Sequence, residues 1–350
     1  MQDTDILILS GPEIDALLNH QELEIVNTVR LAYETHQDGK SSLPFSTFLR
    51  FPDEPRNRII ALPAYLGADF QVAGLKWISS FPGNLNRGLD RASAVIILNS
   101  ALTGRPEAIL EGSLISAKRT AASAALAARS LQSQRRAKAA SMIGCGLINF
   151  EIARFLRATC PEVEKLTLFD KDPARAEHFK QSCLKNLGYV EVEIADSTET
   201  VLAASSLISI ATTSSEPHLF DLSQCLPGST ILHISLRDLS PELILSHENI
   251  VDDIEHVCQA QTSVHLAAQL VGNTEFIKGT LAQVVRGDIS IRENPDGIVI
   301  FSPFGLGVLD LAVSKLVCEF AARQGAGTRL SGFLPASWAG QDSTASSDDK

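Results

Sequence analysis

The chain has 350 residues, 45% of them hydrophobic and 20% charged, with a net charge of −11. This length predicts about two domains of an ordinary globular protein. The acidic balance argues against nucleic acid and anionic membrane surfaces as partners, and no apolar run reaches the roughly 18 residues of a membrane helix.

The start, "MQDTDILILSGPEID", has no basic run that would suit a secretory signal. The six cysteines form no C-x-x-C pair and sit in apolar patterns. Both features predict a cytoplasmic protein with reduced thiols. No histidine grouping has metal-ligand spacing, so no metal is expected. There are no internal repeats.

In chain order, "DILILS" reads as a strand, and "GPEIDALLN" starts a helix with a proline in its first turn. "STFLRF", "RIIALPAYL" and "VAGLKWISS" are strand-like. "SAVIILNSALTGRPEAILEG" reads as a hairpin turning at Thr103 and Gly104. Strands so closely spaced, with no crossover helices, predict a mostly antiparallel sheet. The Ala-rich "SLISAKRTAASAALAARSL" is long enough for a helix. Beyond it "AASMIG", "LTLFD", "VEVEIA", "SLISIAT", "TILHIS" and "NIVDD" alternate with helical or loop segments, the βαβ rhythm of a doubly wound parallel sheet. "GIVIFSP" is a further strand, and the helix "GVLDLAVSKLVCEFAARQG" is expected to return to the first domain.

The fold class is therefore α/β: a doubly wound parallel Rossmann sheet plus a second α+β domain with a mostly antiparallel sheet. The expected division is a substrate-binding and dimerisation domain over 1–125, joined by 306–333, and a dinucleotide domain over 126–305. A small, polar, acidic tail over 334–350 is expected to be disordered.

The stretch "MIGCGLINF" places Gly144 and Gly146 between a strand and a helix. Two glycines make the tight turn and let a pyrophosphate approach the backbone. Leu147 and Ile148 then offer free N–H groups at the helix N-terminus. The third fingerprint position holds Asn149, which either needs a wider helix-to-sheet gap or directs its amide toward the cofactor. Asp170 lies 24 positions after Gly146, near the spacing of the acid that bonds a ribose 2′-OH. An acid there repels a 2′-phosphate, so NAD is favoured over NADP, although the adjacent Lys171 weakens the preference. Thr212 and Thr213 end a later strand where the ribose or nicotinamide would lie; a polar turn is the plain alternative. Ser235, after the next strand, is placed with them.

Several segments together carry a resemblance: "AGLKWISSFPGN", "RASAVIILNSALTGRPEAILEG", "SLISAKRTAASAALAARSL" and "HISLRDLSPEL". In this order around the G-x-G turn, they resemble the ornithine cyclodeaminase/mu-crystallin family over nearly the whole chain. The stretch "KWISSFPGNLNRGLDRASAVIILN" resembles the branch of NAD-dependent dehydrogenases of 2,3-diaminopropionate biosynthesis. That branch acts in siderophore and peptide-antibiotic production. The resemblance implies oxidation of N-(2-amino-2-carboxyethyl)-L-glutamate at the glutamate Cα, then hydrolysis to 2-oxoglutarate and 2,3-diaminopropionate, by a homodimer. Other activities in the family are ornithine cyclodeamination, ketimine or alanine dehydrogenation, and plain ligand binding.

The resemblance also implies roles. Lys76, in an apolar strand, either meets the substrate carboxylate or closes a structural salt bridge. Arg119, flanked by small residues in "KRTAA", clamps the carboxylate; Lys118 beside it is expected to be solvated. Arg50 assists them or is an edge-strand charge. Arg91 stands where cyclodeaminases resemble "LPT", and suits a tricarboxylate substrate or is a surface residue. Asp238 is the catalytic acid, acting as general base, or else a helix N-cap. Arg237 either lowers the Asp238 pKa or touches a carboxylate, and His233 is a core histidine.

Overall fold

The computed structural model describes residues 4–132 and 136–335. Two sheets organise these residues. The first begins with β1 (Ile6–Leu9), β2 (Ser41–Ser42), β3 (Thr47–Phe51), β4 (Glu54–Leu66), β5 (Val72–Ser80), β6 (Ala92–Ser100) and β7 (Pro106–Glu111). The second contains β8 (Ala139–Ile143), β9 (Lys165–Phe169), β10 (Glu191–Ile194), β11 (Leu207–Ile210), β12 (Thr230–His233), β13 (Glu248–Val251), β14 (Ile277–Thr280) and β15 (Val299–Ser302). A last strand, β16 (Thr328–Leu330), returns to the first sheet.

The first sheet runs β16-β1-β7-β6-β5-β4-β2, with β3 also on β4. It is antiparallel except where β1 lies parallel to β7. Alternation decides its faces: on β4, Leu62, Ala64 and Leu66 turn into the core. The second sheet is wholly parallel, in the order β10-β9-β8-β11-β12-β15-β13-β14. Its strand order reverses between β8 and β11, the switch point where the carboxyl ends of the strands open a crevice. β14 and β16 are strands that the sequence patterns did not reveal.

The helix Ser113–Leu131 ties the two sheets together. Alanine fills its faces, so helices pack closely all round it, and thirteen of its residues are buried. The Glu111 carboxylate accepts from the N–H of Ser113 at 2.6 Å and of Leu114 at 3.1 Å, capping its N-terminus. The helix runs unbroken through position 125, where the sequence placed a domain boundary. The long helix Gly307–Gln324 packs against β4, β5 and the helix Glu22–Gln37.

Polar contacts join the two halves elsewhere: His36 Nε2 lies 3.1 Å from Asp253, and Arg286 lies 2.7 Å from Asp38. Lys118 belongs to this seam. It is buried, 3.5 Å from Glu151, where the sequence suggested a solvated side chain. The small neighbours that open space around Arg119 also draw Lys118 inward. Leu334 donates its N–H to Thr4, and the rest of the expected tail, 336–350, lies outside the described residues. No helix among the described residues is long and apolar enough to cross a membrane.

Candidate active site

The dinucleotide turn follows β8. Gly144 has φ +91, and a Cβ there would lie 2.5 Å from the Ala211 carbonyl oxygen, so this turn requires glycine. Gly146 precedes the helix Leu147–Thr159, and a Cβ on it would meet nothing. No side chain caps this helix N-terminus, leaving the N–H groups at Leu147 and Ile148 for an anion.

Asp170 is fixed against the turn. Its Oδ2 accepts the Cys145 N–H at 2.7 Å and its Oδ1 the Asp172 N–H at 2.9 Å. Open space over Gly146, free helix N–H groups and an oriented carboxylate together fit a dinucleotide.

Asn149 has a different task from either sequence alternative. It is fully buried, donating to the carbonyls of Ile143 at 3.0 Å and Gly144 at 2.6 Å and accepting from Ser209 Oγ at 2.7 Å. Its amide faces the protein and pins the helix to β8 and β11, replacing the close packing a third glycine would give. Thr212 and Ser235 both donate to the Asp238 carboxylate, and Thr213 is exposed beside them.

A pair of cations occupies the first sheet's side. Lys76 on β5 is buried, with Nζ 2.8 Å from Asp310 Oδ2 and 3.1 Å from Ser116 Oγ. Arg119 is buried too, its Nε donating to Asp310 Oδ1 at 3.0 Å. One carboxylate thus serves two cations, leaving the cluster one positive charge in excess. Burial lowers the Lys76 pKa and Arg119 lowers it further; Asp310 offsets part of this, and the result is about 8. Gly305 makes room for the guanidinium, since a Cβ there would lie 2.8 Å from Arg119 Nη1.

Asp238 follows β12 and is fully buried. Its Oδ2 lies 3.3 Å from His233 Nε2, and His218 Nε2 is 3.9 Å from Oδ1. Burial pushes its pKa up, but His233, Ser235 and Thr212 outweigh that and hold it at about 2. Asp238 is not a helix cap: Ser240 caps the helix Pro241–Leu245.

Arg91 is part-buried, donating to Ser80 Oγ at 2.8 Å. Arg237 donates to the Ala260 carbonyl at 2.7 Å, and Arg50 is exposed on β3 over the Phe48 ring. Among the described residues no metal-binding cluster of His, Cys, Asp and Glu exists.

Sequence reasoning missed Asp310, which organises the cations, and underrated His233, which holds Asp238. Asp310 had a signal of the kind that marked Lys76: one acid inside the apolar run "GVLDLAVS". A buried acid needs a cation.

A model of the ornithine cyclodeaminase/mu-crystallin family matches residues 6–325. The N-((2S)-2-amino-2-carboxyethyl)-L-glutamate dehydrogenase of Staphylococcus aureus is 27% identical over 335 residues, covering 93% of this chain and 98% of that protein. The structure of Thermococcus litoralis Delta(1)-pyrroline-2-carboxylate reductase, in complex with NADH and L-proline, matches with a TM-score of 0.84 at 28% identity, covering 92% of this chain and 99% of the other. An archaeal alanine dehydrogenase dimer with bound NAD matches with a TM-score of 0.83 at 26% identity, covering 93% and 99%. With the match running from the first strand through the last long helix, the chain belongs to the ornithine cyclodeaminase/mu-crystallin family.

Proposed function

We propose that this protein is an NAD-dependent dehydrogenase that oxidises N-(2-amino-2-carboxyethyl)-L-glutamate at the glutamate Cα. One observation carries the reading: Asp310 holds Lys76 and Arg119 together as a carboxylate site with one cation in excess. Asp238, on the cofactor sheet, supplies the anion for the amine. Those charges complement an α-amino acid. The part-buried Arg91 adds a cation for a substrate with more than one carboxylate.

NAD, held by the turn at Gly144 and Gly146, the N–H groups at Leu147 and Ile148, and Asp170, supplies the hydride acceptor when bound. Lys76 and Arg119 pin the α-carboxylate and fix the direction of the Cα–H bond. The amine first gives its extra proton to solvent water; the nitrogen lone pair then forms the C=N bond as the Cα–H bond yields its electron pair as hydride, leaving an iminium cation. Asp238, with a pKa of about 2, is a weak base. Its permanent charge acts mainly by stabilising the cation that develops at carbon and nitrogen. Water then adds to the C=N bond. Collapse breaks the C–N bond, giving 2-oxoglutarate and 2,3-diaminopropionate, a precursor for siderophore or non-ribosomal peptide assembly. Binding without turnover is the weaker reading, because both cations and Asp238 are present together.

We also infer a homodimer through the outer face of the first sheet, where Leu49 and Trp77 are exposed. Light scattering at micromolar concentration tests it, and a monomer would refute it.

The activity test is incubation with NAD and synthetic N-(2-amino-2-carboxyethyl)-L-glutamate. Stoichiometric NADH with both products by mass spectrometry supports the assignment. Proline formed from ornithine without net NADH would replace it with cyclodeamination.

A further inference from the structure

The inner face of the first sheet carries a second group of cations beyond Lys76 and Arg119. The β3–β4 register sets Arg50 opposite Arg58, and the β4–β5 register sets Arg58 opposite Ser80. Ser80 Oγ in turn accepts from Arg91. On the same strands Lys76 lies opposite Leu62. Side chains alternate across a strand, so Lys76 and Ser80 share one face, as do Leu62 and Arg58. Arg58 therefore stands four residues along the sheet from the carboxylate site, about 13 Å between backbones.

From the other domain, Arg237 approaches the same group, and its charge, with those of Arg91 and Arg50, adds to burial in lowering the Arg58 pKa. No ion pair among the described residues satisfies these arginines: the buried carboxylate of Asp310 is taken by Lys76 and Arg119, that of Asp252 by backbone N–H groups, and that of Asp238, whose charge acts on the adjacent Arg237, by Thr212 and Ser235. Arg58 Nε is buried and has no hydrogen-bond partner. Arg50 is exposed, but the part-buried guanidinium groups of Arg58, Arg91 and Arg237 cost stability where they repel one another and leave a donor orphaned. Planar forks of this kind match carboxylates.

We propose that Arg58, with Arg50, Arg91 and Arg237, forms a second anion subsite that binds the remote carboxylates of a polycarboxylate amino acid, Arg58 being its specificity-determining centre. This rests on the dehydrogenase reading above for the α-carboxylate at Lys76 and Arg119. The spacing suits the proposed substrate. Its α-carboxylate and remote carboxylates are separated by four or five bonds, roughly 5–6 Å when extended. Lysine and arginine side chains reaching inward from either end close the remainder of the 13 Å estimate.

The test reads binding, so that it stands apart from turnover. With NAD present, titration calorimetry compares propane-1,2,3-tricarboxylate with propionate, on the parent protein and on Arg58→Met. The parent should bind the tricarboxylate at least about tenfold more tightly than propionate. Arg58→Met should weaken the tricarboxylate roughly 10- to 100-fold, the scale of one or two charge-assisted hydrogen bonds, and leave propionate and NAD unchanged. No preference in the parent would overturn the subsite, and so would equal loss of both ligands in the variant. Should Arg58→Met fail to fold by circular dichroism, Arg58→Lys and Arg91→Met replace it under the same criteria. A tricarboxylate preference in a protein that does not oxidise the glutamate derivative would leave the subsite standing and remove the dehydrogenase reading alone.

Discussion

Asp310→Asn is the sharpest test of how the carboxylate site is built. The substitution keeps the shape of the side chain and removes its charge. Asp310 is fully buried, 2.8 Å from Lys76 and 3.0 Å from Arg119, which are themselves buried. Removing one partner from a buried ion pair typically costs about 3–5 kcal/mol, because the remaining charge is left unpaired in a poor dielectric. Here two cations would face each other across a neutral amide. For a protein of this size the loss corresponds to a Tm decrease on the order of 10 °C. Lys76 would also lose the neighbour that raises its pKa, so it would fall below its present value of about 8. A substrate carboxylate replaces the missing charge, and saturating substrate should recover part of the lost Tm. Differential scanning fluorimetry with and without substrate measures both effects. A variant melting within about 1 °C of the parent, with an unchanged KM, would refute the idea that Asp310 holds the two cations in place.

Asp170→Ser should narrow the preference for NAD over NADP, since it removes both the ribose acceptor and the repulsion of a 2′-phosphate; equal affinities in the parent would remove Asp170 from that role. Asp238→Asn should lower kcat roughly 100-fold, the scale of losing one preorganised electrostatic group, with NAD affinity retained; an unaltered kcat places the stabilising anion elsewhere. Arg119→Ala should lower kcat/KM by about 3 kcal/mol, the cost of losing a charged hydrogen-bonding partner, and near-normal kcat/KM in a folded variant would take Arg119 out of the site. Lys76 is protonated below a pKa of about 8, and only that form attracts a carboxylate. Substrate affinity should therefore hold below pH 8 and fall up to tenfold per pH unit above it. A KM that stays flat to pH 10 contradicts a charge-dependent role.

What could be read in the sequence depended on how local each cause is. β5 was legible as a nine-residue run rich in apolar and β-forming side chains, and the turn at Gly144 because a positive φ and a close approach to Ala211 demand glycine. β16, TRL, is wholly exposed, and β14, IKGT, holds a lysine and a glycine among its four residues, so neither shows an apolar run. Asn149 looked like a flaw in the fingerprint. Its explanation is Ser209, 60 positions away on another strand. Asp310 lies 191 positions from Arg119, and only the fold shows that the two form a pair. The isolated charges at Lys76 and Arg119 were singled out in the sequence, but not the Asp310 carboxylate that answers them.

Burial lets a chain with a net charge of −11 offer an anion site. Exposed carboxylates act through water and are screened within about 10 Å at ordinary salt. Lys76 and Arg119 act from buried positions, where screening is weak. The excess of one cation over Asp310 therefore sets the local field whatever the distant surface carries. Asp238 provides the opposite sign from the second sheet, held ionised by His233, Ser235 and Thr212. In the proposed function, an α-amino acid between them would meet a cation at its carboxylate and an anion at its nitrogen. Discrimination among amino acids must then come from beyond this shared pair of charges. In this chain the adjoining inner face of the first sheet carries Arg50 and Arg58, with Arg91 bonded to Ser80 beside them, and under the proposed subsite side-chain charge is the property they would read.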